Sequence, residues 1–121
     1  MASILVLEDE TALREVVVEL LEEQGHEVTA GADGKPTSDA DLIARTDLLI
    51  TDIMMPGTDG LEAIRVARST NPSLRIIAMS GGGRTVTKDY LPVAADFGAA
   101  AVLPKPFRPT ILLKTVAEVL A

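Results

Sequence analysis

The sequence contains no cysteine, which excludes disulfide bonds, thiolate zinc sites and cysteine catalysis. Aromatic residues are almost as scarce, since only Tyr90, Phe97 and Phe107 are present. We therefore expect neither a platform for stacking bases nor a large aromatic ligand pocket. Basic residues are also few, 11 against 18 acidic ones, and the formal net charge is −7. Because nucleic-acid binders normally carry a basic face, no contact with DNA or RNA is expected.

Long hydrophobic runs are missing as well. No run approaches the roughly 18–20 apolar residues that cross a bilayer, and the N-terminus lacks a basic segment followed by a signal-type apolar core. A cytoplasmic protein without membrane contact is the expectation. The 121 residues, 47% hydrophobic and 24% charged, are enough for one domain with a real core.

Five apolar segments alternate with five segments of helical periodicity. The predicted strands are 3–7, 27–32, 47–51, 75–79 and 100–103, and the predicted helices are 11–24, 35–45, 61–69, 86–97 and 107–120. The strands are too continuously apolar to face water on one side, which favours a parallel sheet covered by helices on both faces. Five units are too few for an eight-unit barrel, so the pattern predicts an open, doubly wound α/β sheet.

Polar residues follow four of the predicted strands. Glu8 and Asp9 follow the first strand and Asp52 follows the third. Ser80 comes after the fourth strand and Lys105 after the fifth. Because the carboxyl ends of parallel strands share one rim, where open α/β sheets bind ligands, we expect these side chains to converge there.

Such a cluster suits a divalent cation and a phosphoryl group. Three close carboxylates repel one another, and Mg²⁺ can be held by one or two of them while it keeps positions open for phosphate oxygens. A carboxylate such as Asp52 can attack phosphorus and form an aspartyl phosphate. Mg²⁺ at Asp9, the Lys105 ammonium and the Ser80 hydroxyl would then neutralise the charge of the transferred group.

Three segments resemble those of response-regulator receiver domains of two-component signalling. They are residues 4–10 (ILVLEDE), 51–60 (TDIMMPGTDG) and 103–107 (LPKPF). The resemblance extends over essentially the whole chain and includes the spacing of the elements. It implies a flavodoxin-like (βα)5 fold with strand order 2-1-3-4-5, and one receiver domain over residues 1–121 without an output domain.

The resemblance also implies a role for each of the three acidic residues Glu8, Asp9 and Asp52. Asp52 is the expected phosphoacceptor, modified by a phosphohistidine on a partner protein. Asp9 and Asp52 are expected to ligate Mg²⁺ directly, with Glu8 acting through a water molecule and the main-chain carbonyl of Met54 as a further ligand.

On the last two strands, Ser80 resembles the switch hydroxyl and Lys105 the lysine that pairs with the phosphoryl group. The bond from Lys105 to Pro106 is expected to be cis. One position departs from the family pattern, because Val102 stands where a tyrosine or phenylalanine is usual. Valine has no ring to swing inward and its χ1 angle is stiff, which puts the usual coupling of hydroxyl and ring in question.

The partners implied by the resemblance are a histidine kinase or histidine phosphotransfer protein and a downstream protein target. That target is expected on the face formed by the fourth helix, the fifth strand and the fifth helix. We expect a stand-alone receiver, a monomer or weak dimer. It would not be an enzyme beyond self-catalysed phosphotransfer and autodephosphorylation.

Two alternatives stay open. A receiver-like scaffold could bind partners without phosphorylation, for which Val102 is the only support. A phosphatase or dehalogenase-like hydrolase could use Asp52 as its nucleophile. Such enzymes commonly need a second acid two residues further on, and this chain has Met54 at that place.

Overall fold

Five parallel strands form the central sheet of this computed structural model, which describes residues 1–55, 58–80 and 98–121. The strands are β1 Ser3–Leu7, β2 Glu27–Gly31, β3 Leu48–Asp52, β4 Arg75–Ser80 and β5 Ala101–Pro104. Their order across the sheet is β2-β1-β3-β4-β5, and all four neighbouring pairs are parallel. The predicted doubly wound topology and strand order are confirmed.

Helices connect the strands. They are α1 Thr11–Glu23, α2 Ala40–Arg45, α3 Gly60–Thr70 and the C-terminal helix Pro109–Leu120. A short antiparallel ribbon pairs Met54–Met55 with Thr58–Asp59 between β3 and α3. The predicted helix 86–97 lies outside the described residues. Among the helices that the structure describes, none has the length and apolar character needed to cross a membrane.

The predicted helix 35–45 is divided in two. A 3₁₀ turn spans Lys35–Ser38, and α2 begins only after Asp39. The backbone of Asp39 is extended, and its carboxylate accepts a hydrogen bond from the Leu42 N–H at 3.1 Å. Asp39 therefore ends the first segment and caps the second, which is the arrangement that an N-cap aspartate favours.

The core has two layers, one on each face of the sheet. Ile4 and Val6 of β1 pack with residues of α1 and the C-terminal helix, whereas Leu5 and Leu7 pack with residues of α2 and α3. All four side chains are at most 2% exposed. Burying each of them contributes about 1.5–3 kcal/mol, and together they fix β1 in register with its neighbours.

Candidate functional site

The strand register brings the ends of β1 and β3 together. Leu7 pairs with Thr51, so Glu8 and Asp9, which follow β1, lie beside Asp52, the last residue of β3. One carboxylate oxygen from each of Glu8, Asp9 and Asp52 lies within 4.8 Å of the others. The structure thus places the three predicted acidic residues in a single cluster.

Lys105 bridges two of these carboxylates. Ser80, the last residue of β4, pairs with Pro104 of β5, so Lys105 follows at the same rim. Its Nζ donates hydrogen bonds to Glu8 Oε1 at 2.6 Å and to Asp52 Oδ2 at 2.5 Å. The side chains of Lys105, Glu8 and Asp52 are 15%, 1% and 5% exposed, so all three charges are largely removed from water. One ammonium among three carboxylates leaves the cluster negatively charged.

Glu8 is the most buried of these carboxylates. Its second oxygen, Oε2, accepts a hydrogen bond from the Glu10 N–H at 2.9 Å, so both oxygens are engaged. Burial raises the pKa of Glu8 above its ordinary value, and the hydrogen bonds from Lys105 and Glu10 offset only part of this effect. Burial alone would lower the pKa of Lys105, but the hydrogen bonds to Asp52 and Glu8 raise it above its ordinary value.

The donor set fits a hard divalent cation. Carboxylate oxygens are the ligands that such cations prefer, and the exposed Asp9 leaves one side of the cluster open to water. Because both Glu8 oxygens already accept hydrogen bonds, an indirect role through water suits Glu8 better than direct ligation. Met54 lies two residues beyond Asp52 in the short ribbon, and its role as a carbonyl ligand stays a prediction.

Ser80 is buried at the same end of the sheet. Its hydroxyl oxygen has no hydrogen-bond partner among the described residues, although the residue is only 2% exposed. Buried hydroxyls without a partner are uncommon, and this one is available for a ligand oxygen. The Ser80 carbonyl accepts a hydrogen bond from the Lys105 N–H at 2.8 Å, which ties the two residues together.

The peptide bond between Lys105 and Pro106 is cis, which confirms the prediction. Val102 pairs with Ala78 of β4 and is half-buried against the core layer of α2 and α3. Its effect on signalling stays a prediction.

Sequence reasoning missed Gly60, which lies against the backbone of the site. A Cβ atom at Gly60 would fall 2.0 Å from the Asp52 carbonyl oxygen and 2.6 Å from the Ile53 Cα. The Gly60 N–H also donates to the Ile53 carbonyl at 2.8 Å. The start of α3 therefore packs directly on the end of β3. The sequence offered one signal for this position, the pair Asp59-Gly60 directly before the helical pattern that begins at Leu61.

Comparison with known proteins decides the family. The sequence model of the response regulator receiver domain matches residues 4–117. The chain belongs to this family. It is thus a receiver domain of two-component signalling, with an acidic cluster compatible with a metal ion and aspartate phosphorylation.

Relatives of this receiver domain differ widely in size. It is 35% identical to the sensor kinase CckA of Brucella abortus over 121 residues, covering 98% of this chain and 12% of the kinase. It is 38% identical to the DNA-binding transcriptional regulator NtrC of Azospirillum brasilense over 106 residues, covering 88% of this chain and 21% of NtrC. The chain thus spans about a fifth or less of the length of these two relatives.

A solved structure of similar length also matches. The chemotaxis response regulator CheY4 of Vibrio cholerae superimposes with a TM-score of 0.85 at 31% identity, covering 99% of both chains. The likeness extends over nearly the full length of both chains.

Proposed function

We propose that this receiver domain accepts a phosphoryl group from a phosphohistidine of a partner protein onto Asp52, with Mg²⁺ at the acidic cluster. The observation that carries the proposal is the buried Asp52 carboxylate, which Lys105 Nζ contacts at 2.5 Å at the rim shared by β1, β3 and β5. A carboxylate in this position is shielded from water. It also lies beside the Lys105 ammonium, which can form an ion pair with the negatively charged phosphoryl group after transfer.

The proposed transfer forms one bond and breaks another. A carboxylate oxygen of Asp52 attacks phosphorus, the P–N bond to the donor imidazole breaks, and the imidazole leaves with the electron pair and takes up a proton. Lys105 then donates to a phosphoryl oxygen, and the hydroxyl of Ser80 donates to another.

Asp9 and Asp52 would hold Mg²⁺ directly, with Glu8 acting through water and the Met54 carbonyl completing the protein ligands. The bound ion supplies charge neutralisation at the phosphoryl oxygens. We further propose that the domain is no enzyme beyond self-catalysed phosphotransfer and autodephosphorylation, because Met54 stands where a hydrolase would need its second acid. The complete cluster with its paired lysine argues against a scaffold that is never phosphorylated.

The proposed output is protein contact on the face that includes β5 and the C-terminal helix. β5 joins this face to the site, since the strand leads directly into Lys105. A monomer or weak dimer is part of the same proposal.

The test is intact-mass measurement after incubation with Mg²⁺ and acetyl phosphate. We expect the unsubstituted protein to gain one phosphoryl group and Asp52→Asn to gain none. Asp41→Asn, which changes an exposed aspartate of α2, is the matched control and should be phosphorylated normally. Continuous turnover of phosphate esters would favour the hydrolase, and no modification of the unsubstituted protein would favour the scaffold.

A further inference from the structure

An arginine outside the acidic cluster forms hydrogen bonds with the turn 8–10, which carries two residues of the cluster, Glu8 and Asp9. Arg14, in the first part of α1, donates from Nη1 to the main-chain carbonyl of Glu8 at 2.8 Å. Its own N–H donates to the Glu10 carbonyl at 2.9 Å. Arg14 therefore contacts the turn on both sides of Asp9, once through its side chain and once through its backbone.

The turn sets where Asp9 points. Asp9 is exposed, so packing against the core does not fix its position. The flanking residues are fixed, because the Glu10 N–H also bonds to Glu8 Oε2 at 2.9 Å. A planar guanidinium with a rigid fork of donors is well suited to hold a carbonyl in one orientation. The direction of the Asp9 side chain thus depends on bonds made by its neighbours.

We propose that Arg14 is a positioning residue for the divalent-cation site, since it fixes the turn 8–10 so that Asp9 faces Asp52. This inference rests on the proposed function, in which these two carboxylates ligate Mg²⁺. Arg14 itself is a donor only and contacts no cation.

The charge of Arg14 has the opposite effect on cation binding. A guanidinium beside the cluster repels a divalent cation, so its removal should by itself tighten Mg²⁺ binding. Loss of the hydrogen bond to Glu8 should weaken Mg²⁺ binding, because groups that orient metal ligands commonly contribute about tenfold or more to affinity. The sign of the change in Kd therefore separates positioning from simple charge.

The experiment is calorimetric titration of Mg²⁺ into the full chain and its variants at constant ionic strength. We expect Arg14→Gln to raise the Kd about tenfold and Arg14→Lys to give an intermediate value. Arg65→Gln is the matched control, because Arg65 is an exposed arginine that pairs with Glu62 on α3 and its loss changes the net charge equally. It should leave the Kd unchanged. Amide spectra of the metal-free variants should show shifts at Asp9 and Glu10 only for the Arg14 changes.

An unchanged or lower Kd in Arg14→Gln would overturn the inference and leave the proposed function standing. If Arg14→Gln fails to fold, the Kd of Arg14→Lys for Mg²⁺ is the test instead. A Kd of Arg14→Lys equal to that of the unsubstituted protein would then overturn the inference. If the unsubstituted protein binds no Mg²⁺, both the inference and the metal part of the proposed function are wrong.

Discussion

The two ion pairs of Lys105, with Glu8 and Asp52, are buried, so breaking either of them costs more stability than breaking an exposed pair would. Removing one partner from a buried pair leaves an uncompensated charge, which typically costs about 3–5 kcal/mol. Glu8 is the sharpest case, because its side chain is 1% exposed and burial raises its pKa. The folded protein therefore holds a proton on Glu8 at pH values where the unfolded chain has released it.

This difference predicts a pH dependence of stability. The free energy of unfolding contains a contribution from Glu8 that falls as pH rises from about 4.5 towards the raised folded pKa. The raised pKa of Lys105 does not act in this window, since its stabilising contribution is lost only above about pH 10.5. In Glu8→Gln we expect a smaller decline with pH, measured by urea unfolding at several pH values without metal.

Glu62→Gln is the control for this measurement. The hydrogen bond from Arg65 lowers the pKa of Glu62, so any contribution from Glu62 has the opposite sign and is lost as pH falls. Because Glu62 is an exposed residue on the surface of α3, little change is expected. Equal pH profiles for Glu8→Gln and the unsubstituted protein would contradict the prediction.

At the scale of elements, the junction of β3 and α3 decides where Asp52 stands. The first residue of α3 approaches the backbone at the end of β3 so closely that only glycine fits. The Ile53 N–H also donates to the Met79 carbonyl at 2.9 Å, which fixes the end of β3 against β4. Asp52 is therefore held from two sides by main-chain contacts at the end of β3.

We expect Gly60→Ala to lower the free energy of unfolding by about 1–3 kcal/mol and to slow phosphorylation of Asp52, because the new Cβ must push β3 and α3 apart. Gly25→Ala is the matched control. Gly25 has φ +88° with open space around it, so alanine there costs about 1–2 kcal/mol of backbone strain far from the site. Denaturant unfolding and the acetyl phosphate reaction measure both effects. Normal phosphorylation of Gly60→Ala would contradict this account.

In the whole molecule, the doubly wound sheet gathers charge at one rim. The two core layers hold the strands in register, and the register forces three carboxylates together in a chain whose net charge is already −7. Their mutual repulsion opposes folding, so a bound cation should stabilise the entire domain.

Mg²⁺ at ten times its Kd should therefore add about 1.4 kcal/mol to the free energy of unfolding. Thermal unfolding at matched ionic strength measures the effect, which should nearly vanish in Asp9→Asn and persist in Asp41→Asn. The same stabilisation in all three proteins would show that Mg²⁺ acts through general screening of the net charge.

The sequence by itself determined the alternation of strands and helices, because apolar runs and helical periodicity are local patterns. Chain order then placed Glu8, Asp9, Asp52, Ser80 and Lys105 at one rim, since parallel strands end on the same side. The split of the helix predicted over 35–45 escaped prediction, because one capping side chain, Asp39, outweighed a weak periodicity. The helix predicted over 86–97 stays a prediction.

Only the tertiary structure decided how the site is held. Lys105 bonds to Glu8 across 97 positions and to Asp52 across 53, and no local pattern specifies which oxygens it contacts. The approach of Gly60 to Asp52 and the contact of Arg14 with Glu8 depend on how α3 and α1 pack against the sheet. Such distances arise from the packing of whole elements, and residue spacing along the chain does not contain them.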